Sequence, residues 1–259
     1  MRENHALAQL RQGKPSIGLW LQSGSVNIAR IIAAQGWFDW LLVDMEHSPV
    51  DLSTTALMLG AIADISAGQC TPLARVPHRT MYHIKQALDA GAQGIIVPMV
   101  STAEEAAEVV RFARYPPEGE RGAGGVLARY SFGTTSQPEY LANANREIMV
   151  GIQIETRAGV ENIETILAVP GLDLIFIGPN DLHLSLGLVP SLWSEQPAFL
   201  AAVDQVAKAC RVSGKPLGTL ARNAEGVNAR LASGFTMMGM SSDLENLLRG
   251  LDEQRKQIR

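Results

Sequence analysis

Residues Gly94–Arg114 read GIIVPMVSTAEEAAEVVRFAR. The first part, Gly94–Met99, is a short apolar run of the kind that a strand shows when both faces of its sheet are covered. The texture then changes. Over Thr102–Arg114 apolar residues recur every three or four positions, which predicts an amphipathic helix. Ser101 or Thr102 is placed to cap it, and Glu104 and Glu105 fall in the first turn, where the helix dipole favours negative charge. The stretch is one strand–helix unit.

The same unit recurs on both sides of it. Upstream, Ser16–Leu21 (SIGLWL) precedes a helix over Ser25–Gln35, Trp40–Glu46 (WLLVDME) one over Asp51–Ala67, and Thr71–Val76 (TPLARV) one over His83–Ala90. Downstream, Ile148–Glu155 (IMVGIQIE) precedes a helix over Ala158–Val169, and Leu174–Gly178 (LIFIG) one over Gln196–Val212. Pro216–Ala221 and Phe235–Met240 precede helices over Ala224–Ser233 and from Asp243 onward. Eight such units in 259 residues predict an α/β fold of one domain, 1–259, closed as a (β/α)8 TIM-type barrel. A doubly wound open sheet would carry GxGxxG after its first strand, and this strand ends Leu21-Gln22-Ser23-Gly24-Ser25. Tyr115–Arg146 is rich in Gly and Pro and is expected to be a long active-site loop, since such loops inside compact domains are usually functional.

Bulk properties narrow the function. A hydrophobic share of 46% against 19% charged residues suits a large core. The net charge is −4 and no basic patch stands out, so nucleic acid is not an expected partner. No run approaches the roughly 18 apolar residues of a membrane span. Met1–Lys14 is polar, mixed in charge and without an apolar signal segment, so a cytoplasmic enzyme is expected. Cys70 and Cys210 are far apart and outside any CxxC pair, which predicts buried free thiols.

Active sites of this barrel lie at the C-terminal ends of the strands. There the second predicted strand ends in Asp44, Glu46 and His47, and the third in Arg75. The fifth ends in Gln153 and Glu155, and the sixth runs into Gly178-Pro179-Asn180-Asp181. Glu155 and Asp181 come from neighbouring strands, with no Cys or His at zinc spacing. They suit a hard divalent cation such as Mg2+, which takes one or two carboxylates and leaves positions for substrate. They also read as rim residues paired with Arg157 or Arg75. Arg75 can stabilise an enolate or form a salt bridge with Asp44 or Glu155. His47 is the histidine at a strand end and suits acid–base work; His5, His78, His83 and His183 look ordinary. The Gly178–Asp181 loop offers backbone N–H groups to a carboxylate, or is only a tight turn. Trp20 and Leu220 complete the candidate substrate-binding set. No predicted strand carries a lysine in its interior, and Lys215 lies just before one, which argues against a Schiff-base aldolase.

Several segments together resemble the metal-dependent (class II) pyruvate aldolases of the HpcH/HpaI family, which act on 4-hydroxy-2-oxoheptanedioate, 2-keto-3-deoxy-L-rhamnonate or 2-dehydro-3-deoxyglucarate. These are GLWL (Gly18–Leu21), LLVDMEHSP (Leu41–Pro49), ARVP (Ala74–Pro77), IKQALDAGAQGIIVPMV (Ile84–Val100), YPPEGERGAG (Tyr115–Gly124), QIET (Gln153–Thr156) and FIGPNDL (Phe176–Leu182). The resemblance implies reversible aldol cleavage of 4-hydroxy-2-oxo acids to pyruvate, or hydroxypyruvate, plus an aldehyde. It implies Mg2+, Mn2+ or Co2+ on Glu155 and Asp181, an enolate stabilised by Arg75, and His47 as base. Asp89 of a neighbouring subunit would tune His47, while Gln153 and the Asn180–Asp181 backbone would contact the 2-oxo acid. It further implies a hexamer, a trimer of dimers, in which an amphipathic last helix, Leu244–Ile258, packs on a neighbour. Many members have Ala where Asn180 stands and Ser where His183 stands. The segment Val126–Tyr140 is where the aldehyde is expected to be chosen. The alternative is a citryl-type lyase or hydrolase acting on a CoA thioester, for which no basic nucleotide-binding cluster is evident. A barrel kept only for binding would have lost Glu155, Asp181 or Arg75, and all three are present.

Overall fold

Eight short apolar runs pair in the order in which they occur along the chain. A computed structural model describes residues 1–258. Its strands are β1 (Ser16–Leu21), β2 (Trp40–Asp44), β3 (Thr71–Arg75), β4 (Gly94–Val97), β5 (Met149–Ile154), β6 (Leu174–Ile177), β7 (Leu217–Ala221) and β8 (Met237–Ser242). Each pairs in parallel with the next, and β8 closes on β1. The predicted closed barrel is the observed one. Glu46, Val76, Met99, Glu155 and Gly178 fall just beyond the ladders, because the rim stays largely buried for a residue or two after strand pairing stops. The helix expected over Ala158–Val169 is two short ones, Arg157–Glu161 and Ile163–Leu167.

Two apolar layers hold the barrel. The outer one lies between strands and helices. The inner one is filled by aromatics and long side chains: Trp20, Trp40, Leu42, Leu73, Ile96, Met149, Phe176 and Met237. Glycine makes room for the rings. A Cβ on Gly18 would sit 2.0 Å from the Trp40 ring, and one on Gly239 2.8 Å from the Trp20 indole nitrogen.

The polar N-terminal segment forms a helix, His5–Arg11, that plugs the N-terminal end of the barrel with Ala6, Leu7 and Leu10. Asn4 fixes it. Its Oδ1 accepts from the Leu7 N–H at 3.0 Å, and its Nδ2 donates to the Gln93 and Glu147 carbonyls at 2.8 and 2.9 Å. Its own N–H donates to Glu147 Oε2 at 3.0 Å.

The stretch expected to be a long active-site loop is something else. It contains two helices, Val126–Ser131 and Gln137–Glu147. Ser136 caps the second, accepting from the Glu139 N–H at 3.2 Å, and Pro138 sits in its first turn. The pair packs at the N-terminal end of the barrel: Gln93 Nε2 donates to the Ser131 carbonyl at 2.8 Å and the Arg2 N–H to the Phe132 carbonyl at 2.7 Å. Average composition misled here. Most of its glycine and proline lies over Pro116–Gly125, and a capped, periodic segment follows.

Candidate active site

At the opposite, C-terminal end the strand tips open into a cavity of about 470 Å³. Trp20, His47, Arg75, Gln153, Glu155, Gly178, Asn180, Asp181 and Leu220 all line it, so residues expected from six different strand–loop junctions converge there. Two expected residues do not line it. Asp44 lies beneath Arg75, fully buried. Asp89 ends the helix Met81–Asp89, which returns to the start of β4 and so stands at the other end of the same barrel. There it pairs with buried Arg121 at 2.7 Å. Val126–Tyr140 likewise does not line the cavity of its own chain.

Arg75 is held from three sides. β2 and β3 run in register with Asp44 beside Arg75. Arg75 Nε–H donates to Asp44 Oδ1 at 2.8 Å and Nη2–H to Asp44 Oδ2 at 2.6 Å. Nη1 lies 3.0 Å from Glu46 Oε2. The guanidinium stacks on the Trp20 ring, 4.3 Å from its centroid. A guanidinium has five N–H groups. With three so engaged, one on Nη1 and one on Nη2 remain for a ligand. The salt-bridge reading of Arg75 holds, with Asp44 and Glu46 as partners, and the same side chain lines the cavity. Burial pushes the Asp44 carboxyl up, but the hydrogen bonds and charge of Arg75, with help from Gln22 and the His47 N–H, leave it below its ordinary value. Glu46 goes the other way. Burial raises it, with Asp44 and Asp181 adding to the rise, against Arg75 and His47.

Glu155 is the most perturbed group of the rim. It is 2% exposed. Its Oε1 accepts from the Met99 N–H at 2.7 Å and its Oε2 from Gln153 Nε2 at 2.9 Å. Met99 delivers that N–H from a left-handed backbone, φ 58°, a conformation that costs a non-glycine residue energy and tends to persist at functional sites. Burial first, then the charges of Asp181 and Glu46, push the Glu155 carboxyl up to about 7, despite the Met99 N–H and Arg75. Asp181 projects from the first turn of a short helix, Pro179–Ser185, which stands where a tight turn or loop was expected. Gly178 precedes it because space demands it: a Cβ there would lie 2.0 Å from Glu155 Oε2.

The site is left electrostatically and chemically incomplete by the protein alone. Gln153 Oε1 and Trp20 Nε1 are buried without hydrogen-bond partners, which native interiors rarely tolerate. Two mutually repelling carboxylates face the same space. A divalent cation and an oxygen-rich ligand are what such a donor set fits. Among the described residues no group of three or more His, Cys, Asp and Glu is arranged to hold a metal ion. The protein thus offers at most two carboxylates there, the number typical of Mg2+ sites completed by substrate and water.

The sequence profile of the family described as HpcH/HpaI aldolase/citrate lyase matches residues 16–249. The chain belongs to that family. It is 40% identical over 250 residues to a 4-hydroxy-2-oxo-heptane-1,7-dioate aldolase of Escherichia coli, covering 96% of this chain and 93% of the relative. It is 41% identical over 245 residues to the hydroxypyruvate/pyruvate aldolase of Deinococcus radiodurans, covering 95% and 85% of the two chains. The crystal structure of a family protein from Burkholderia cenocepacia superposes with a TM-score of 0.90 at 34% identity over 98% of each chain.

Sequence reasoning missed several residues of this family member's rim. Gln22 follows β1 and donates to Asp44 Oδ2 at 3.0 Å. Arg222 follows β7, and Ser241, at φ 63°, ends β8 beside Ser242; all three line the cavity. Their signal was position alone: each stands at a strand tip, but without the run of charged neighbours that marked β2 and β5. Pro190, Ser191 and Leu192 form a wall of the cavity from a loop 13–15 residues after β6, and nothing in their composition announces it.

Proposed function

We propose that this enzyme is an aldolase that cleaves 4-hydroxy-2-oxo acids to pyruvate, or a substituted pyruvate such as hydroxypyruvate, and an aldehyde, and runs the reverse addition. Family membership and the two named relatives support the reaction class. The observation that carries the mechanism is the pairing, in one cavity, of a fixed guanidinium that has two N–H groups to spare with two carboxylates, Glu155 and Asp181, that form no salt bridge among the described residues.

Glu155 and Asp181 would hold a divalent cation, Mg2+, Mn2+ or Co2+, which when bound supplies Lewis-acid polarisation of the substrate's keto group. The free N–H groups of Arg75 would donate to the oxygen on which negative charge develops, and donors aimed at such an oxygen lower the barrier. Asp44 does not reach the substrate; it fixes the plane of Arg75. Gln153, whose Oε1 is free to accept from a substrate hydroxyl, and the open N–H groups at the start of helix Pro179–Ser185, which can donate to the carboxylate, bind the substrate. In cleavage the base takes the proton of the C4 hydroxyl and the C3–C4 bond breaks. The bonding pair becomes the enolate of pyruvate, the aldehyde leaves, and C3 is then protonated. His47 is our base. Its side chain is 58% exposed and its Nε2 lies 3.9 Å from Glu46 Oε2, so it moves protons through water at the rim rather than in the buried floor.

Asp89, at the far end of its own barrel, can act on His47 only across a subunit boundary, so this reading requires a homo-oligomer. Support comes from the terminal helix, Asp243–Gln257, whose Leu244, Leu247, Leu248 and Leu251 are 39–59% exposed at helical spacing. We place it against a neighbouring copy in a hexamer. The last residue of the expected final helix lies outside the described residues. No described helix is long and apolar enough to cross a membrane, and both cysteines are buried and unpaired, which supports a cytoplasmic setting. The test is pyruvate release from a panel of 4-hydroxy-2-oxo acids, with EDTA and with added Mg2+, Mn2+ or Co2+. Release in EDTA equal to that with metal would overturn the cation's role, and no release from any member would overturn the reaction.

A further inference from the structure

Beside the candidate active site lies a second cavity, of about 320 Å³, that shares Ser191, Leu192, Leu220 and Arg222 with it. The two adjoin along these residues, as a first and a second lobe. Two guanidiniums line the second lobe. Arg222 is exposed and has no ion-pair partner among the described residues; its carbonyl is engaged by Arg249 Nη2–H at 2.6 Å, its side chain by nothing charged. Arg230 lies flat on the Trp193 ring, 3.4 Å from the centroid. Trp193 in turn stands edge-on to Phe199 and Phe235, so the stack is anchored in the outer core. Burial lowers the Arg230 pKa from its ordinary value, opposed by the charge of Glu195. Glu245 is a third carboxylate lining the first lobe, besides Glu155 and Asp181, and it makes no salt bridge with Arg222.

The first lobe is acidic where the cation would sit and is sized for the 2-oxo acid and the reacting carbons. The second lobe has the opposite character: two cations, a flat aromatic wall and no carboxylate lining it. A planar guanidinium immobilised by stacking is suited to bidentate recognition of an anionic oxygen pair. Val126–Tyr140 lies at the other end of its own barrel and cannot perform this choice within one chain. We infer that the second lobe receives the distal end of the aldehyde half of the substrate, and that Arg222, with Arg230 behind it, selects aldehydes bearing a carboxylate or phosphate. This rests on the aldolase reading above. It adds to that reading a subsite and a specificity residue.

The test uses the full-length protein with saturating Mg2+ and pyruvate. Solvent deuterium exchange at the pyruvate methyl group is measured first on the wild-type protein, without aldehyde. It reports enolate formation alone; its absence overturns the aldolase reading and the subsite with it. Addition is then measured with matched acceptors: succinic semialdehyde against pentanal for the carboxylate arm, and glyceraldehyde 3-phosphate against glyceraldehyde for the phosphate arm. The quantity read is the ratio of kcat/KM for the anionic acceptor to that for its neutral partner. The wild-type ratio is expected to exceed ten in at least one arm, and that arm identifies the anion. In Arg222→Met the ratio should collapse at least tenfold, mostly through KM, and Arg222→Lys should restore part of it. Exchange in the wild type with no anionic preference, or a preference that survives Arg222→Met, overturns the subsite and leaves the aldolase reading standing.

Discussion

The two ends of the barrel both bury polar side chains, and they differ in the charge that they bury. At the N-terminal end Asn4 is fully buried and its amide and backbone N–H are all bonded, to Leu7, Gln93 and Glu147, with Thr71 Oγ1 3.2 Å from its Oδ1. The hydroxyls of Ser16 and Thr236 and the Nε atoms of Arg121 and Arg129 lack hydrogen-bond partners at this end, although Arg121 is ion-paired with Asp89. At the C-terminal end Gln153 and Trp20 have orphaned atoms, and Glu155 is buried against like charge. A satisfied buried group stabilises, and an unsatisfied one costs roughly 1–3 kcal/mol. Orphaned polar atoms occur at both ends, so what sets the C-terminal end apart is a carboxylate buried against like charge beside an open cavity.

Four experiments can break that contrast or sharpen it. The largest effect belongs to Asp181→Ala. Turnover in a pyruvate-release assay should fall to background at every metal concentration, with little change in thermal stability, because Asp181 is only partly buried. A metal-depleted variant with full activity would show that the acidic rim serves no cation. Next comes Arg75→Ala, which should hit both properties. Loss of an enolate donor raises the barrier by about 2.7–4 kcal/mol, on the order of 10²–10³ in kcat. Stranding Asp44 in the interior should cost roughly 3–5 kcal/mol of stability. The double variant Arg75→Ala, Asp44→Asn separates them: stability should return and turnover should not.

At the other end Asn4→Ala should lose about 1–3 kcal/mol in denaturant melts and keep its kcat at 25 °C. A kcat that falls with it would mean the plug and the site are coupled. The smallest effect is Glu155→Gln, measured in EDTA. The folded carboxyl sits at about 7, above its ordinary 4.5. The folded state therefore keeps a proton that the unfolded chain has lost, so stability declines as pH rises from 4.5 and the loss is complete above about 7. The glutamine has no charge to bury. Its Tm should exceed the wild-type value at pH 8 by a few degrees, at roughly 2–4 °C per kcal/mol for a domain of this size. The gap should close below pH 4.5, and Mg2+ should raise the wild-type Tm while leaving the variant unmoved. A variant less stable than wild type at pH 8 would mean that the Met99 and Gln153 hydrogen bonds outweigh the burial of charge.

Much of this was legible in the residues, for one physical reason. Strands covered on both faces leave uninterrupted apolar runs, so Trp40–Asp44 or Leu174–Ile177 stand out, and a charge at the end of such a run is conspicuous. That is how Arg75, Glu155 and Asp181 could be read. Where a group is set by a partner distant in sequence, the chain alone is silent. Helix His5–Arg11 has an ordinary polar composition and is fixed by Asn4 bonds reaching across to Glu147. The left-handed backbone of Met99 and Ser241 is enforced by surroundings that no local pattern encodes. Arg222 stands at a strand tip like the others, but it lacks charged neighbours and so did not draw attention. Two roles for Arg75 were legible; the geometry shows the salt bridge and puts the same side chain on the cavity wall.

The glycines opposite the interior rings constrain how this barrel can drift over generations. Gly18 faces Trp40, Gly239 faces Trp20, and a Cβ on Gly218 would lie 2.6 Å from the Phe176 ring. Adding a single methyl at Gly18 or Gly218 collides with a fully buried ring, one at Gly239 collides with both Leu220 and the Trp20 ring, and shrinking a buried ring alone opens a void. Each pair is thus a two-locus lock whose members can change size only together. Lineages that share the lock can vary freely along the rim and still inherit one interior, so substrate preference can diversify while the scaffold beneath it stays put.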